Sequence, residues 1–509
     1  MSRSSEVDVV IIGGGATGFG VAIEAASRGY KTLLLEAYDF GKGTSSKSTK
    51  LVHGGIRYLA NLDLALVQEG LSERFHFLTN APHIASSQSY LVPFYSLLDK
   101  LKYYIGIKAY DFLSRQQQIG KSKCLNREQT ISAAPHLNPL GLVGGVTYYD
   151  GQFDDARMLI TLLRTFQTLG GIAYNYHSVT GFLKDEEYKI TGIKVFDKLN
   201  HKQFNIKAKV VINATGTLAD KIMDLDEPAV KHNYVTASQG THLVFNRNIF
   251  DSLHALVIPK TIDNRILFIL PWRDKVVVGT TDIAVTYPEL EPTAQDEEIE
   301  FILATLNQYT VRNVDKSDIK SVFTGQRPLV RPKTKVKTAK ISRKHEILYS
   351  ESGLITIVGG KWTIYRLMGE DTINFAVKHK LLIPSTSRSK QLKLFGYTTD
   401  KLAYPLSVYG TEINKIHAIQ TELNNFAPLH PDLPYYEAEI VYQVRYEMAV
   451  TIEDVLARRT RALLLDAKAA LAAAPKVAQL MAQELGKNQE WENNQLAEFT
   501  AIAAKYIVE

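Results

Sequence analysis

The sequence predicts an α/β protein in three parts: a dinucleotide-binding domain on a parallel sheet, a second domain with a mostly antiparallel sheet, and a helical C-terminal domain. Three observations carry this. The first 36 residues read strand, glycine turn, helix, strand and acid. Short β-rich segments fill the middle of the chain, and from about residue 400 it turns Ala- and Leu-rich at helical spacing. The 509 residues leave room for several domains, since one takes roughly 100–200.

Residues 7–12 (VDVVII) form a run of buried-strand character. Gly13-Gly14-Gly15-Ala16-Thr17-Gly18 follows and matches G-x-G-x-x-G. A helix is expected over 21–28, closed by Gly29, and a second strand over 31–35, ending in Glu36. In such a unit Gly13 permits the tight turn, Gly15 lets the backbone approach a pyrophosphate, and Gly18 allows close helix–strand contact. The helix N-terminus offers free N–H groups and a positive dipole end to phosphates. Glu36 can accept hydrogen bonds from ribose hydroxyls. An acid there disfavours a 2′-phosphate and leaves NAD or FAD as the ligand.

Residues 178–213 are β-rich, with a hairpin turn expected at Lys198-Leu199-Asn200-His201. A strand over 209–214 runs into Gly216 and returns the chain to the same domain. Short strands at 242–245, 266–270 and 276–279 suggest the antiparallel second domain. A further buried strand (354–358) ends at Gly359-Gly360 and opens a helix over 363–379. The expected division is 1–80, 145–225 and 350–385 for the dinucleotide domain, 81–144 and 226–349 for the second, and 386–509 for the helical cap. In the tail, a helix is expected over 435–450, a new start at Thr451–Asp454, and an Ala/Leu-rich helix over 463–485 broken near Pro475 and stopped by Gly486.

Composition narrows the chemistry. Apolar residues are 45% and charged residues 22%, so extensive disorder is excluded. The net charge of +6 is too dilute to argue for nucleic acid. A single cysteine, Cys124, excludes a disulfide framework, a Cys-based zinc site, an iron–sulfur cluster and an in-chain dithiol centre. No metal is expected, and redox chemistry must belong to an organic cofactor. Neither a signal peptide nor a spanning helix is read, so the chain is expected to be cytoplasmic, or peripheral on the cytoplasmic face of the inner or plasma membrane. Residues 95–123 interleave Lys100, Lys102, Lys108, Arg115, Lys121 and Lys123 with many apolar groups, the pattern of a basic segment that meets an anionic membrane surface.

Residues 44–59 (TSSKSTKLVHGGIRYL) crowd hydroxyls, lysines, a histidine, paired glycines and an Arg-Tyr pair into sixteen positions. Together with GGGATG (13–18), LLLEA (33–37), DDAR (154–157), NATG (213–216), PWRDKVVVGTTD (271–282), GQRPL (325–329) and GGKWTIYR (359–366), this loop resembles the FAD-dependent, respiratory glycerol-3-phosphate dehydrogenases. Residues 437–461 resemble that family's C-terminal cap. The likeness spans most of 7–370 in the family's order and implies an FAD-binding Rossmann-like fold of the glutathione-reductase/D-amino-acid-oxidase type. It departs at Thr217-Leu218, where Pro-Trp is common, and at Trp362 and Ile364, where GGKLTTYR is common; packing below the cofactor is expected to differ.

The resemblance implies oxidation of sn-glycerol 3-phosphate to dihydroxyacetone phosphate, with FAD taking the hydride and a membrane quinone the electrons. It places Gly13, Gly15, Ala16, Thr17, Gly18, Glu36, Thr44, Ser45, Ser46, Lys50, Leu51, His53, Val179, Gly216, Gly360, Lys361 and Thr363 at the cofactor. Arg57, Tyr58, Arg327, Arg343 and Thr363 fall to the substrate, since an Arg fork suits phosphate oxygens. His53 and His242 are both candidate bases, an imidazole being able to take the hydroxyl proton near neutral pH. Lys361 would set a cation near the flavin's pyrimidine end. Arg327 completes the catalytic set, while Asp155 and Asp282 are expected to organise loops. An oxygen-using oxidase, an amino-acid oxidase and a non-catalytic flavin-binding regulator are the rivals, and a homodimer is left open.

Overall fold

The computed structural model describes residues 6–56, 63–115, 117–263, 265–332 and 343–508. Its smaller sheet has eight strands. At its centre Val7–Ile12 runs parallel to both Lys202–Asn213 and Thr32–Leu35. Ile355–Gly359 and Ile172–Tyr174 extend it in parallel on either side, and His345–Tyr349 closes one edge antiparallel. The hairpin of Ile190–Asp197 and Lys202–Asn213 turns where expected, at 198–201. The two central strands Val7–Ile12 and Thr32–Leu35 are near-continuous apolar runs because both faces of the sheet are covered, and Val9, Val10, Ile11, Leu33 and Leu34 are fully buried.

The first helix is Ala16–Ser27, five residues longer at its start than the sequence pattern predicts. The glycines at 18 and 20 hid it from a propensity reading. Burial of nearly every residue in it outweighs their cost of about 1 kcal/mol each.

The larger sheet has ten strands and is mostly antiparallel. Val235–Asn246 lies between Ile319–Val330 and Lys275–Gly279 over this stretch, with His242 opposite both Phe323 and Gly279. Gly144–Phe153 and Ala85–Phe94 belong to this sheet, and Leu51–Val52 pairs onto its edge, so the 44–56 loop ends on it.

In the tail, the helix Glu437–Glu447 stops at Met448, which is left-handed. Thr451 and Asp454 cap each other reciprocally ahead of a π-turn, Asp454–Arg459. The expected break at Pro475 does not occur: Ala467–Leu485 runs through it as one helix. Ala473, Ala474, Val477, Ala478 and Met481 are buried there, and this packing outweighs the roughly 3 kcal/mol that an interior proline costs. Gly486 ends the helix as expected, with φ +62°.

Candidate active site

The glycine turn is shaped for a dinucleotide. Gly13 has φ +112°, and a Cβ there would lie 2.7 Å from the Ala214 carbonyl oxygen. A Cβ on Gly18 would come within 1.8 Å of the Gly13 carbonyl, so the helix touches the turn backbone to backbone. Gly15 is the N-cap of Ala16–Ser27, with no capping side chain and no acid in the first turn. The Ala16 N–H is taken by Ser45 Oγ at 3.0 Å, and the half-buried Thr17 follows in the same turn. Glu36 accepts from the Gly14 N–H at 2.7 Å and the Tyr38 N–H at 2.9 Å; burial pushes its carboxyl up, against the pull of these bonds. Gly216 opens a short turn, Gly216–Leu218, just past the neighbouring parallel strand, and Val179 is buried in the same hydrophobic cluster as Ile12 and Leu35. A helix N-terminus with no N-cap side chain and no acid in its first turn, a backbone cradle that a Cβ would fill and a carboxylate at the second strand's end fit an FAD pyrophosphate and ribose.

The loop 44–56 is fixed from several sides. Thr44 donates to the Gln326 carbonyl, and Trp362 Nε1 donates to the Ser45 carbonyl at 2.8 Å. The tryptophan that departs from the family pattern thus ties this loop to the Gly359-Gly360 junction. Ser48 donates to Asp155 Oδ2 from its amide (2.9 Å) and its hydroxyl (2.7 Å). Asp155 therefore organises the loop, as the sequence suggested. Lys50 is fully buried; its ammonium donates to Asp155 Oδ2 at 2.7 Å and the Ser46 carbonyl at 3.0 Å, and lies 4.9 Å from the Phe323 ring centre. Burial brings Lys50 down to about 7, although Asp155 pulls the other way. Burial alone would raise the Asp155 carboxyl; the Lys50 and Arg461 cations reverse this and hold it below the usual range. Leu51 pairs with Gln152 where the loop joins the larger sheet.

His242 is 2% exposed, and its ring stacks on Phe323 at 4.7 Å. Its Nε2 is 3.0 Å from Thr49 Oγ1, while Nδ1 has no hydrogen-bond partner among the described residues. Burial, then the Lys50 and Arg327 cations, hold His242 well below the usual imidazole range, so it is neutral at physiological pH. Gly279 is required opposite it, because a Cβ there would lie 2.5 Å from His242 Cδ2. Arg327 faces Ser238 across the sheet, and its guanidinium is held by Thr280 Oγ1 at 3.0 Å and by the Gln239 and Thr281 carbonyls.

The amide of His53 donates to Thr363 Oγ1 at 3.3 Å, which joins two candidates from distant segments. The next amide, Gly54, donates to Tyr110 Oη at 2.9 Å. Lys361 packs against Gly70, where a Cβ would lie 3.1 Å from its Nζ. Burial raises the neighbouring Glu69 carboxyl and Lys361 draws it back. Gly360 lies between the strand Ile355–Gly359 and the turn Trp362–Ile364. Arg343 is half-buried just before His345–Tyr349, and Asp282 accepts from the Ser238 hydroxyl. Arg57 and Tyr58 lie outside the described residues.

Sequence reasoning missed Thr49 and the arginines that reach this site from the tail. Arg461 donates to the Ser46 carbonyl at 2.6 Å and to Asp155 Oδ1 at 3.1 Å, while Arg458 and Arg459 both grip Asp39. The available signal was three arginines at 458, 459 and 461 inside an apolar segment, since charges in such a place need buried partners.

Comparison with known proteins gives the family. A family model described as FAD dependent oxidoreductase matches residues 8–366, and one described as the C-terminal domain of alpha-glycerophosphate oxidase matches 355–492. Fold and site together define an FAD-dependent oxidoreductase. The chain is 39% identical over 542 residues to the probable mitochondrial glycerol-3-phosphate dehydrogenase of Dictyostelium discoideum, covering 99% of this chain and 84% of that one. It is 35% identical over 543 residues to the human mitochondrial glycerol-3-phosphate dehydrogenase, covering 100% and 74%. The FAD-complexed glycerol-3-phosphate dehydrogenase of Bacillus halodurans superposes with a TM-score of 0.81 at 27% identity, covering 99% of this chain and 96% of that one. The chain belongs to the FAD-dependent glycerol-3-phosphate dehydrogenase family.

Proposed function

We propose that the chain oxidises sn-glycerol 3-phosphate to dihydroxyacetone phosphate and passes the electrons to a membrane quinone. FAD, when bound, supplies a two-electron hydride acceptor for the hydrogen on carbon 2. The observation that carries the reading is His242: a buried, neutral imidazole on a rigid strand, with an arginine held on the adjoining strand. A neutral imidazole takes the hydroxyl proton as the carbon–hydrogen pair departs, so the substrate loses one proton and one hydride and gains the carbonyl. Arg327 and Arg343 bind the phosphate, and the backbone joint of His53 and Thr363 sets the loop against the cofactor ring. Lys361 offers positive charge where the reduced ring gathers negative charge.

A quinone requires access from a bilayer. Among the described residues no helix is long and apolar enough to cross a membrane. The helix Leu97–Leu113 instead turns Leu97 (72% exposed), Leu98 (81%), Leu101, Ile105 and Phe112 (70%) outward, while only Ile107 and Tyr110 are buried. Lys100, Lys102, Lys108, Arg115, Lys121 and Lys123 are exposed on and beside it. Exposed apolar groups ringed by cations match an anionic bilayer, into which the helix lies flat. Sedimentation with vesicles containing anionic lipid, lost on Leu98→Glu with Phe112→Glu, is expected. Retention of binding, or a change in oligomeric state instead, would remove the membrane from the reading.

Oxygen is the second acceptor to weigh, because the tail matches a domain model named for an oxidase. The test is an anaerobic addition of glycerol 3-phosphate to the yellow protein, followed at about 450 nm, then quinone or air. Bleaching that quinone reverses quickly and air slowly is expected. Fast recovery in air would make the chain an oxidase, and an unbleached flavin would overturn the substrate.

A further inference from the structure

Arg461 reaches the active-site loop from a part of the chain 415 positions away. The chain is shaped to deliver it. The π-turn Asp454–Arg459 precedes it, and Arg461 itself is left-handed at φ +73°, an arrangement costly for a non-glycine residue. Its side chain is fully buried. One nitrogen, Nη2, bridges the Ser46 carbonyl and Asp155 Oδ1, Nη1 donates to the Ala457 carbonyl at 2.8 Å, and Nε faces Asp154 at 3.7 Å.

Asp155 is the hub. Oδ1 takes Arg461 and the Ala156 amide, while Oδ2 takes Lys50 and both donors of Ser48. Ser46 carries Lys50 and Arg461 on one carbonyl. Thr49 sits between Ser48 and Lys50, both of which Asp155 fixes, and Thr49 is the side chain that meets His242 Nε2. Arg273, which also pairs with Asp154, adds a third cation to Lys50 and Arg461 against the two carboxylates. Losing one member of this buried network leaves the others unpaired.

We propose that Arg461, supplied by the C-terminal domain, is a positioning residue for the reaction: through Asp155 and the Ser46 carbonyl it holds Thr49 against His242 Nε2 and so fixes the orientation of the ring that takes the proton. This rests on the assignment of His242 as the base. It makes the C-terminal domain part of the catalytic apparatus.

Three variants test it: Arg461→Lys, which keeps the charge but gives up the guanidinium fork that holds the Ala457 carbonyl together with the Ser46 carbonyl and Asp155; Thr49→Val, which keeps the branched shape without the hydroxyl; and the double variant. The limiting rate of anaerobic flavin reduction at saturating glycerol 3-phosphate is expected to fall about 10-fold in each single variant, with half-saturation and flavin content unchanged. The double variant is expected to be no slower than the worse single one, since both act on the same contact. A second readout needs no substrate: carbethoxylation of His242 by diethyl pyrocarbonate, read by peptide mass spectrometry, is expected to rise several-fold in both single variants, with His177 as an unchanged reference. Multiplying losses, unchanged labelling, or loss of flavin from Arg461→Lys alone would overturn the inference. If wild-type protein is not bleached yet labelling rises in both variants, the substrate reading fails while the coupling of Arg461 to His242 stands.

Discussion

The glycine turn and the loop carrying Thr49 both lie within the first sixty residues, and they are built in opposite ways. The turn is local: Gly13, Gly15, Gly18 and Glu36 sit at spacings that leave one arrangement of strand and helix, and Ala214 is the main distant group needed to close it. The loop has little structure of its own. It is held by Asp155, Gln326, Trp362 and Arg461, from four separate segments. The nucleotide turn can therefore be read from a short motif, whereas the setting of Thr49 against His242 requires the whole chain.

This contrast can be broken most severely at the turn. Gly18→Ala sets a Cβ where only 1.8 Å is free to the Gly13 carbonyl, and the purified protein is expected to carry no flavin colour. A yellow Gly18→Ala protein would mean that the turn is less constrained than its spacing implies.

The next largest effect separates the two histidines. His242→Gln is expected to slow anaerobic flavin reduction by about 100-fold or more, the usual contribution of a general base, while His53→Gln should cost less than about 10-fold. The reverse order would move the base to His53. Arg327→Lys removes a fork but keeps a charge, and should raise the half-saturating substrate concentration by about 10-fold, read in the same reduction experiment.

Acid sharpens the comparison. His242 is neutral in the folded protein, whereas an unfolded imidazole protonates near about pH 6.5. The unfolded chain therefore binds the extra proton below that pH, and stability falls as pH drops, by up to about 1.4 kcal/mol per pH unit from this group. Denaturant melts between about pH 7 and 5 should show His242→Gln with the shallower decline. The smallest effect belongs to Trp362→Phe, which keeps the ring contacts with Phe77 and Phe153 but loses the bond to the Ser45 carbonyl. It should cost about 1 kcal/mol of stability with the rate nearly unchanged.

The legibility of each region follows from this division. Strands 7–12 and 32–35, the hairpin turn at 198–201 and the glycine junction at 359–360 were all readable, because period and turn residues state them locally. The start of the first helix was hidden by Gly18 and Gly20, and the continuity of the 467–485 helix by Pro475; in both, tertiary packing overrides propensity. At the site, His242 was readable as a candidate but not its partner, since Thr49 is one hydroxyl among several in the loop and the contact spans 193 positions. The Asp155–Arg461 bond spans 306, and no spacing rule reaches that far.

The most direct measurement is single-turnover anaerobic flavin reduction by sn-glycerol 3-phosphate carrying deuterium at carbon 2. Bleaching that is several-fold slower than with the protiated substrate is expected, because in the proposed reaction the bond to that hydrogen breaks as the hydroxyl proton is lost. A flavin that stays oxidised, or one that bleaches at the same rate with either isotope while chemistry is rate-limiting, would contradict hydride transfer from carbon 2.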